Sequence, residues 1–222
     1  IGKSGELGIN AAYLYDKDER SSWSNTSNML PDGLRNVVEE TMAGTAKQQK
    51  AYGDVSYLSN SEHRYLKEQV KFDWSKTNAD SRILAGNKAI EQFGKIDCYR
   101  LLNKLHLTDR NSEYRGYEFI SLVNLEKRPH HLTALPNFFS NIIVDNTLHQ
   151  QVNVHNFSTE NSFSLLSAWR TGNISLRPSA TIDFQHNALN SSLASFRNNL
   201  NFNLFNAGVG AEATYDIGKL YA

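Results

Sequence analysis

Seven polar side chains have the types and the spacing that suit contact with a ligand. They occupy alternating positions in two stretches of the chain: His149, Gln151, Asn153 and His155, followed by Arg177, Asp183 and Gln185. Imidazole, amide, guanidinium and carboxylate groups together offer both donors and acceptors to a polar ligand. We therefore take these residues as candidates for a ligand-facing surface. The alternative for each of them is that the side chain is simply solvated by water.

The histidines and the cysteine favour neither a metal site nor a disulfide. His149 and His155 are six residues apart, which is about 20 Å along a strand, whereas a metal ion needs its ligands at about 2 Å. His130 and His131 are adjacent and would point to opposite faces of a strand. Cys98 is the single cysteine of the sequence, so it has no internal partner. We expect no metal and no cofactor.

The sequence lacks the usual signatures of catalysis. It contains no phosphate-binding loop, dinucleotide fingerprint, HExxH helix or nucleophile elbow, and its spacing singles out no catalytic pair. Its 23 Lys and Arg balance its 23 Asp and Glu, so its charge does not favour nucleic acid. We predict that the protein is not an enzyme and has no nucleic-acid partner.

The element that must hold the second polar group is the stretch 173–186, which alternates apolar and polar side chains. Ile174, Leu176, Ile182 and Phe184 share one parity, and the polar residues between them share the other. The stretch is far longer than an average strand of about 5–6 residues. A transmembrane β-strand needs about 9–11 residues with an apolar lipid face and a polar inner face. We therefore predict an all-β fold, an antiparallel transmembrane β-barrel segment.

The same alternation predicts eight long strands. Their approximate ranges are 7–15, 52–58, 66–74, 95–107, 114–127, 148–170, 173–186 and 200–215. Between them, long connections (17–50, 76–94, 128–147 and 187–199) alternate with short turns (59–62, 108–112, 171–173 and 216–219). This alternation is typical of outer-membrane barrels, with the short turns on one rim. A helix over 34–49 is the alternative for one long connection, although its apolar residues do not hold a helical period.

Two further features concern the strand margins. The parity of the apolar residues changes near 157–161, where a β-bulge or a short turn would explain it and we predict a bulge in one long strand, and it changes again near 206–208. Aromatic side chains lie near the strand ends, as in the interfacial girdles of membrane barrels. They are Tyr13, Tyr15, Trp74, Tyr117, Trp169, Phe184 and Tyr215.

Several stretches carry a resemblance to a known family. They are Tyr13–Asp16 with Leu30–Gly33, Arg64–Leu66 with Phe72–Trp74, Val152–Ser164, and Ser175–Pro178 with Asp183–His186. The layout resembles the barrel portion of a TonB-dependent transporter of the outer-membrane β-barrel family. The resemblance implies nutrient import across a Gram-negative outer membrane through a barrel of about 22 strands. The implied partners are outer-membrane lipid, an N-terminal plug domain, the remaining barrel strands and the TonB energy-coupling complex. A surface lipoprotein is a further partner that the resemblance allows.

We interpret residues 1–222 as a single β-barrel region. Strand patterns are interrupted at both ends, so we expect a fragment that lacks the plug and does not close a barrel alone. Two alternatives remain open at this stage. One is a complete eight-stranded outer-membrane barrel with a structural or adhesive role; the other is a soluble β-barrel or sandwich that binds a ligand.

Overall fold

A computed structural model describes most of the chain. The described residues are 4–29, 35–85, 88–112, 115–137, 143–166, 169–171 and 173–215. They form one antiparallel sheet of nine strands: β1 (Ser4–Met29), β2 (Arg35–Asn60), β3 (Arg64–Ala85), β4 (Lys88–Ser112), β5 (Arg115–Leu135), β6 (Leu148–Leu166), β7 (Trp169–Thr171), β8 (Ile174–Leu193) and β9 (Phe196–Tyr215). The all-β, antiparallel prediction is confirmed, with eight long strands and one short one. No helix suited to crossing a membrane occurs in the described ranges.

Neighbours in sequence are neighbours in the sheet, apart from the short strand β7. The order is β1-β2-β3-β4-β5-β6-β8, with β9 pairing β8 as well. Strand β7 pairs with β8 beyond the end of β6, so β6 and β7 together form one side of the same long hairpin. The connections therefore alternate between two ends of the sheet. We call the end with residues 61–63 and Asn173 the turn end, and the end with 136–147 and 194–195 the loop end.

The predicted long connections were wrong in their extent, because strands occupy most of them. Strand β1 runs to Met29 and is paired with β2 along its whole length, which places most of 17–50 in a paired hairpin and excludes the helix alternative over 35–49. Likewise β3 and β4 are paired from Ala85 and Lys88 onward. Backbone hydrogen bonds between strands do not require alternating apolar residues. Polar stretches can therefore belong to strands although their sequence shows no alternation. Pro31, Asp32 and Gly33 and the turn 216–219 lie outside the described residues.

The register divides the side chains between two faces, since paired residues in a sheet point to the same side. One face, the band face, is apolar from the turn end through about half of each strand. Its apolar residues form the apolar band: Leu7, Ile9, Tyr13, Tyr15, Val55, Tyr57, Leu66, Val70, Phe72, Trp74, Tyr99, Leu101, Leu105, Leu107, Tyr117, Phe119, Val123, Leu125, Phe157, Phe163, Leu165, Trp169, Ile174, Leu176, Ile182, Phe184, Phe205, Val209 and Tyr215. The other side is called the opposite face. All seven aromatic residues predicted as a girdle lie on the band face.

Beyond the apolar band, the polarity of the two faces is reversed in β6 and β9, whereas in the hairpin of β1 and β2 both faces carry polar residues such as Lys47 and Gln48. In the loop-end half of β6, Val152 and Val154 lie on the opposite face, and in β9 Phe202 and Leu204 do so. The register through both places is continuous, from Gly116↔Leu166 to Ala134↔Leu148 and along all of β8 and β9. The bulge predicted near 157–161 was therefore wrong, and the second change of parity, near 206–208, has no bulge either. The apolar residues change face without any inserted residue.

The real irregularities lie at the turn end. Pairing of β4 with β5 shifts by one residue between Arg110 and Ser112. Four residues separate Ser164 from Trp169, while only two separate their partners Ser179 and Leu176. Extra residues of this kind bend a strand and increase its twist.

From β3 to β6 the apolar band is interrupted by polar side chains that hydrogen-bond to one another. Asn103 Nδ2 donates to Glu68 Oε1 at 3.2 Å, and Ser121 Oγ donates to Asn161 Oδ1 at 2.7 Å. Asn161 Nδ2 in turn donates to Thr159 Oγ1 at 2.9 Å. Paired polar groups are far cheaper to desolvate than unpaired ones, so this stripe is compatible with an apolar setting.

A small buried cluster closes the loop end. Ala134, Ile143 and Leu148 are almost fully buried and pack together on the opposite face. Asn137 holds the described residues 143–147 in place: its Nδ2 donates to the carbonyl oxygens of Ile143 at 3.0 Å and Asp145 at 2.8 Å. Most other side chains are partly or fully exposed, as expected of a single-layer sheet.

The sheet is open. Strands β1 and β9 are its outermost long strands, and no pairing joins them among the described residues. A hydrogen-bonded ladder between 5–16 and 200–215, which would close an eight-stranded barrel, is therefore not formed. This outcome agrees with the expectation that the described strands do not close a barrel by themselves.

Gly44 should be intolerant of a side chain. A Cβ there would lie 2.6 Å from Asp80 O and 2.9 Å from Ser81 Cβ, so backbone would have to move. We expect Gly44→Ala to lower the free energy of unfolding by about 1–3 kcal/mol, measured by reversible denaturant unfolding. Gly53→Ala is the matched control in the same strand, since its Cβ would meet nothing closer than Asn10 O at 3.6 Å. A loss at Gly53 equal to that at Gly44 would contradict the register.

Candidate functional site: the opposite face

At the level of the apolar band, the opposite face collects the charged and amide side chains of the sheet. Strand alternation places them there, because each follows or precedes an apolar residue of the band. The polar residues are Asn10, Asp54, Gln69, Lys71, Asp73, Arg100, Lys104, His106, Glu118, Asn124, Glu160, Arg177, Asp183 and Gln185. The sheet therefore separates an apolar surface from a hydrogen-bonding one. The predicted opposite facing of Lys71 and Asp73 against Val70 and Phe72 agrees with this register.

The strongest polar cluster centres on Glu118 of β5. Its two carboxylate oxygens engage different partners: Oε2 accepts a hydrogen bond from Arg177 Nη2, and Oε1 lies 2.9 Å from His106 Nε2. Tyr65 packs edge-on against the His106 ring, with centroids 5.1 Å apart. An arginine paired with a carboxylate gives a strong, oriented hydrogen bond. The cluster thus fixes three side chains of β3, β4 and β5 against Arg177 of β8.

Two smaller polar groups extend this surface towards β1. Asp54 accepts hydrogen bonds from Asn10 Nδ2 at 3.2 Å and from Gln69 Nε2 at 3.3 Å, which links three strands. Arg100 Nε donates to Asn124 Oδ1 at 3.0 Å. Hydrogen bonds between neighbouring strands on one face hold these side chains in fixed positions, ready to exchange partners with a polar ligand.

A cavity of about 420 Å³ lies on the opposite face between β4 and β8. Lys104, Glu160 and Asp183 supply charge at its wall, and Ile120 and Leu122 supply an apolar floor. Aliphatic side chains on a polar face break the alternation, which is why β5 looked irregular in sequence. A mixed lining of this kind suits a ligand with both polar and apolar parts.

The structure divides the seven sequence-predicted residues between the two faces. Arg177, Asp183 and Gln185 lie on the opposite face, where Arg177 joins the Glu118 cluster and Asp183 lines the cavity. Gln185 Nε2 donates to Asn187 Oδ1 at 3.4 Å. These three therefore share one polar surface, as their alternation with apolar residues indicated.

The other four residues, His149, Gln151, Asn153 and His155, lie on the band face beyond the apolar band. They therefore do not share a face with Arg177, Asp183 and Gln185. Their apolar neighbours in β6 belong to the loop-end half, where the polarity of the faces is reversed. His149 Nδ1 lies 3.4 Å from Thr133 Oγ1, and His155 lines a separate cavity described below.

Two exposed ion pairs lie outside the apolar band and shift the pKa values of their members. A hydrogen bond from Lys17 lowers the pKa of Glu19 and raises that of Lys17. At the turn end, Arg64 donates from Nε and Nη2 to Asp109 Oδ2, at 2.9 and 2.8 Å, and its pKa is raised. The stabilising contribution of the Lys17–Glu19 pair is fully present above the ordinary pKa of a glutamate, and it is lost as pH falls through the lowered pKa of Glu19.

Sequence reasoning missed His106, Glu118 and Tyr65. Their strands, β4 and β5, have apolar residues of both parities, so alternation alone did not assign the polar residues to a face. The partner that makes Glu118 notable, Arg177, lies 59 residues away in sequence. Among the described residues no group of three or more His, Cys, Asp and Glu is placed to hold a metal ion.

The fold and the site together define a long-stranded antiparallel sheet with one apolar and one charged face. No family model matches the sequence, and no curated protein matches it. Among solved structures, the chain is similar to the siderophore receptor PiuA from Acinetobacter baumannii (11% identity, TM-score 0.40, covering 94% of this chain and 43% of that chain). It is also similar to the ferric-catecholate import receptor Fiu from E. coli K12 in its open form (10%, 0.32, 94% and 51%).

A third similar structure is the ferric citrate transporter FecA in its unliganded form (7% identity, TM-score 0.32, covering 97% of this chain and 42% of that chain). The chain thus spans about half the length, or less, of these structures. TM-scores of 0.40 and below fall short of a shared fold, so these likenesses decide neither the fold nor the function.

The Arg177–Glu118 pair should contribute measurably to stability. A double-mutant cycle with Arg177→Gln and Glu118→Gln is expected to give a coupling energy of about 1 kcal/mol, because both side chains are partly shielded. Denaturant unfolding of the four proteins measures it. The control cycle uses Lys17→Gln and Glu19→Gln, a fully exposed pair for which we expect no measurable coupling. Equal coupling in the two cycles would argue against a built cluster at Glu118.

Proposed function

We propose that this chain is part of the wall of an outer-membrane β-barrel that acts as a TonB-dependent nutrient receptor and transporter. The observation that carries the membrane assignment is the apolar band on one face, backed by the charged opposite face. In β3 the band runs from Leu66 to Trp74, eight residue steps or about 26 Å along the strand. This stretch is as long as the part of a tilted strand that crosses a bilayer, which is about 9–11 residues.

The band is inclined to the direction of the hydrogen bonds, as in a barrel with tilted strands. The apolar band ends at Tyr15 in β1 on the loop-end side. Following paired residues from strand to strand connects Tyr15 with Asn199 in β9, but the band in β9 ends at Phe205, six residues from Asn199. At the other margin the offset from Leu7 to Tyr215 is eight residues. Over seven interstrand steps of about 4.8 Å, such offsets correspond to a tilt of roughly 30–38°, close to the about 35–45° of membrane barrels.

The reversal of polarity beyond the band supports the same assignment. Inside a bilayer the outward face of a barrel must be apolar. Where the strands project past the bilayer, the outward face meets water and the inward face covers other parts of the protein. His149, Asn153 and Asn190 on the band face fit the first condition, and Leu148, which packs with Ile143 on the opposite face, fits the second.

In this function the opposite face lines the lumen. The Glu118 cluster, Asp183 and Gln185 then face either the transported ligand or the plug domain, and the chain binds and conducts without a catalytic step or a cofactor. Outer-membrane lipid, a plug, further barrel strands and the TonB complex are the proposed partners, and a surface lipoprotein is a further one. The proposed location is the outer membrane of a Gram-negative cell.

The two alternatives, a complete eight-stranded barrel and a soluble β-protein, account for fewer features of the sheet. A complete eight-stranded barrel needs β1 to pair with β9, and the described residues contain no such ladder. A soluble β-protein would have to leave an extended apolar band in water, including Val209, which is 92% exposed, and Ile9, which is 69% exposed. Apolar patches of that extent are not left open on soluble monomers.

A charge placed on the band face should oppose membrane insertion. Ala180 lies near the middle of the band in β8, and its neighbour Thr181 lies on the opposite face. We expect Ala180→Arg to cost about 2–4 kcal/mol of folding free energy in a bilayer, and Thr181→Arg close to nothing. The measurement is refolding of the full-length gene product into phosphatidylcholine vesicles.

The two variants carry the same added charge on adjacent residues of one strand, so they differ only in the face that receives it. Equal losses would contradict the assignment of the band face to lipid. Recovery of the unaltered protein as a stable monomer in buffer, without detergent or lipid, would instead support the soluble alternative.

A further inference from the structure

The loop-end margin of the apolar band contains an amphipathic cavity of about 510 Å³. Two cross-strand rows of the band face line it. The row inside the band is apolar and consists of Phe72, Leu101, Leu125 and Phe157, which are linked in register from β3 to β6. The next row outward consists of Tyr99, Lys127 and His155, also linked in register.

The outer row is positively charged and offers hydrogen-bond donors. Lys127 has an exposed side chain and forms no ion pair with any part of the chain that the structure describes. The nearby carboxylates are engaged elsewhere: Asp97 pairs with Lys95 at 3.1 Å, and Glu126 pairs with Arg128. Tyr99 and His155 can each donate a hydrogen bond beside Lys127. Lys127 at the rim therefore has no ion-pair partner among the described residues, while Glu126, which also lines the cavity, is paired with Arg128.

The inner row is purely hydrophobic and continues into the apolar band. Phe157 packs against Phe184 with ring centroids 6.0 Å apart, which extends the apolar floor into β8. His186 closes the wall beside Phe157, where its Nδ1 donates to Asn203 Oδ1 at 2.6 Å. A free anion would use only the rim of such a cavity, whereas an amphiphile would use both rows.

We propose that this cavity binds the phosphate headgroup of an anionic lipid, with the phosphate at Lys127, Tyr99 and His155 and the acyl chains over Phe72, Leu101, Leu125 and Phe157. The inference rests on the proposed function, since it requires the band face to lie against lipid. Basic residues at a membrane surface attract anionic headgroups, and aromatic residues occupy the same depth. The cavity places both at one margin of one sheet.

The test compares spin-labelled phosphatidic acid with spin-labelled phosphatidylcholine as probes. The full-length gene product is reconstituted in phosphatidylcholine vesicles, and electron paramagnetic resonance gives the relative association constant of each probe. We expect the unaltered protein to prefer the phosphatidic acid probe, and Lys127→Gln with His155→Gln to reduce that preference about fivefold. The phosphatidylcholine probe should be unaffected.

Two controls distinguish an effect of the positive charge at this cavity from an effect of the protein's overall charge on lipid preference. Lys127→Arg keeps the cation at the rim and should retain the preference. Lys50→Gln removes a lysine from the opposite face of β2 at the same end of the sheet and should leave the preference unchanged. Resistance of the vesicle-bound protein to urea extraction shows that each variant has inserted.

An unchanged preference in the inserted double variant would overturn the proposal. Displacement of the probe by millimolar inorganic phosphate would also overturn it, because the site would then take the free anion. Failure of the unaltered protein to insert would overturn both the lipid site and the proposed function. Insertion with no preference for phosphatidic acid would overturn the lipid site alone.

Discussion

The structure depends on uninterrupted backbone hydrogen bonding between very long strands. Strands β1 and β2 are paired over 26 residues, and β8 and β9 over 20. A slip of one residue in any of these ladders would move every side chain to the other face. The apolar band, the Glu118 cluster and the cavity at the loop-end margin of the band all depend on a register that stays constant along each pair of strands. The irregularities are confined to the turn end, where a shift affects only the last few residues.

A constant register makes the reversal of polarity interpretable. If bulges had rotated the strands at 157–161 and 206–208, the apolar residues on either side would belong to one surface. Without bulges, Phe157 and Val154 belong to two surfaces, and the change between them marks the level at which the surroundings of the sheet change. That level is followed across the sheet by Trp74, Tyr99 and Phe184, aromatic residues at the margin of the band. The margin is therefore a property of the whole sheet.

The sequence predicted the strands best where one face of the sheet is apolar and the other polar. Between Leu66 and Trp74, or Ile174 and Phe184, alternation gave both the strand and its facing. It failed where both faces are polar, because Lys47 or Asn78 in a paired hairpin has the same composition as a loop. Alternation also could not show how the candidate residues of two strands lie relative to each other: His149 and Arg177 lie on different faces of the sheet. Facing in β6 depends on partners in β5 and β8, which a single strand's pattern does not contain.

The open edges set the last constraint on function. Strands β1 and β9 each carry apolar band residues, such as Leu7 and Val209, beside a row of backbone groups with no partner strand among the described residues. Within a bilayer, each unpaired N–H or C=O costs several kcal/mol. A sheet with this band is therefore stable in lipid only if further strands pair with both edges. The tilt of roughly 30–38° already present across the seven interstrand steps is the geometry that closing a barrel with such strands requires.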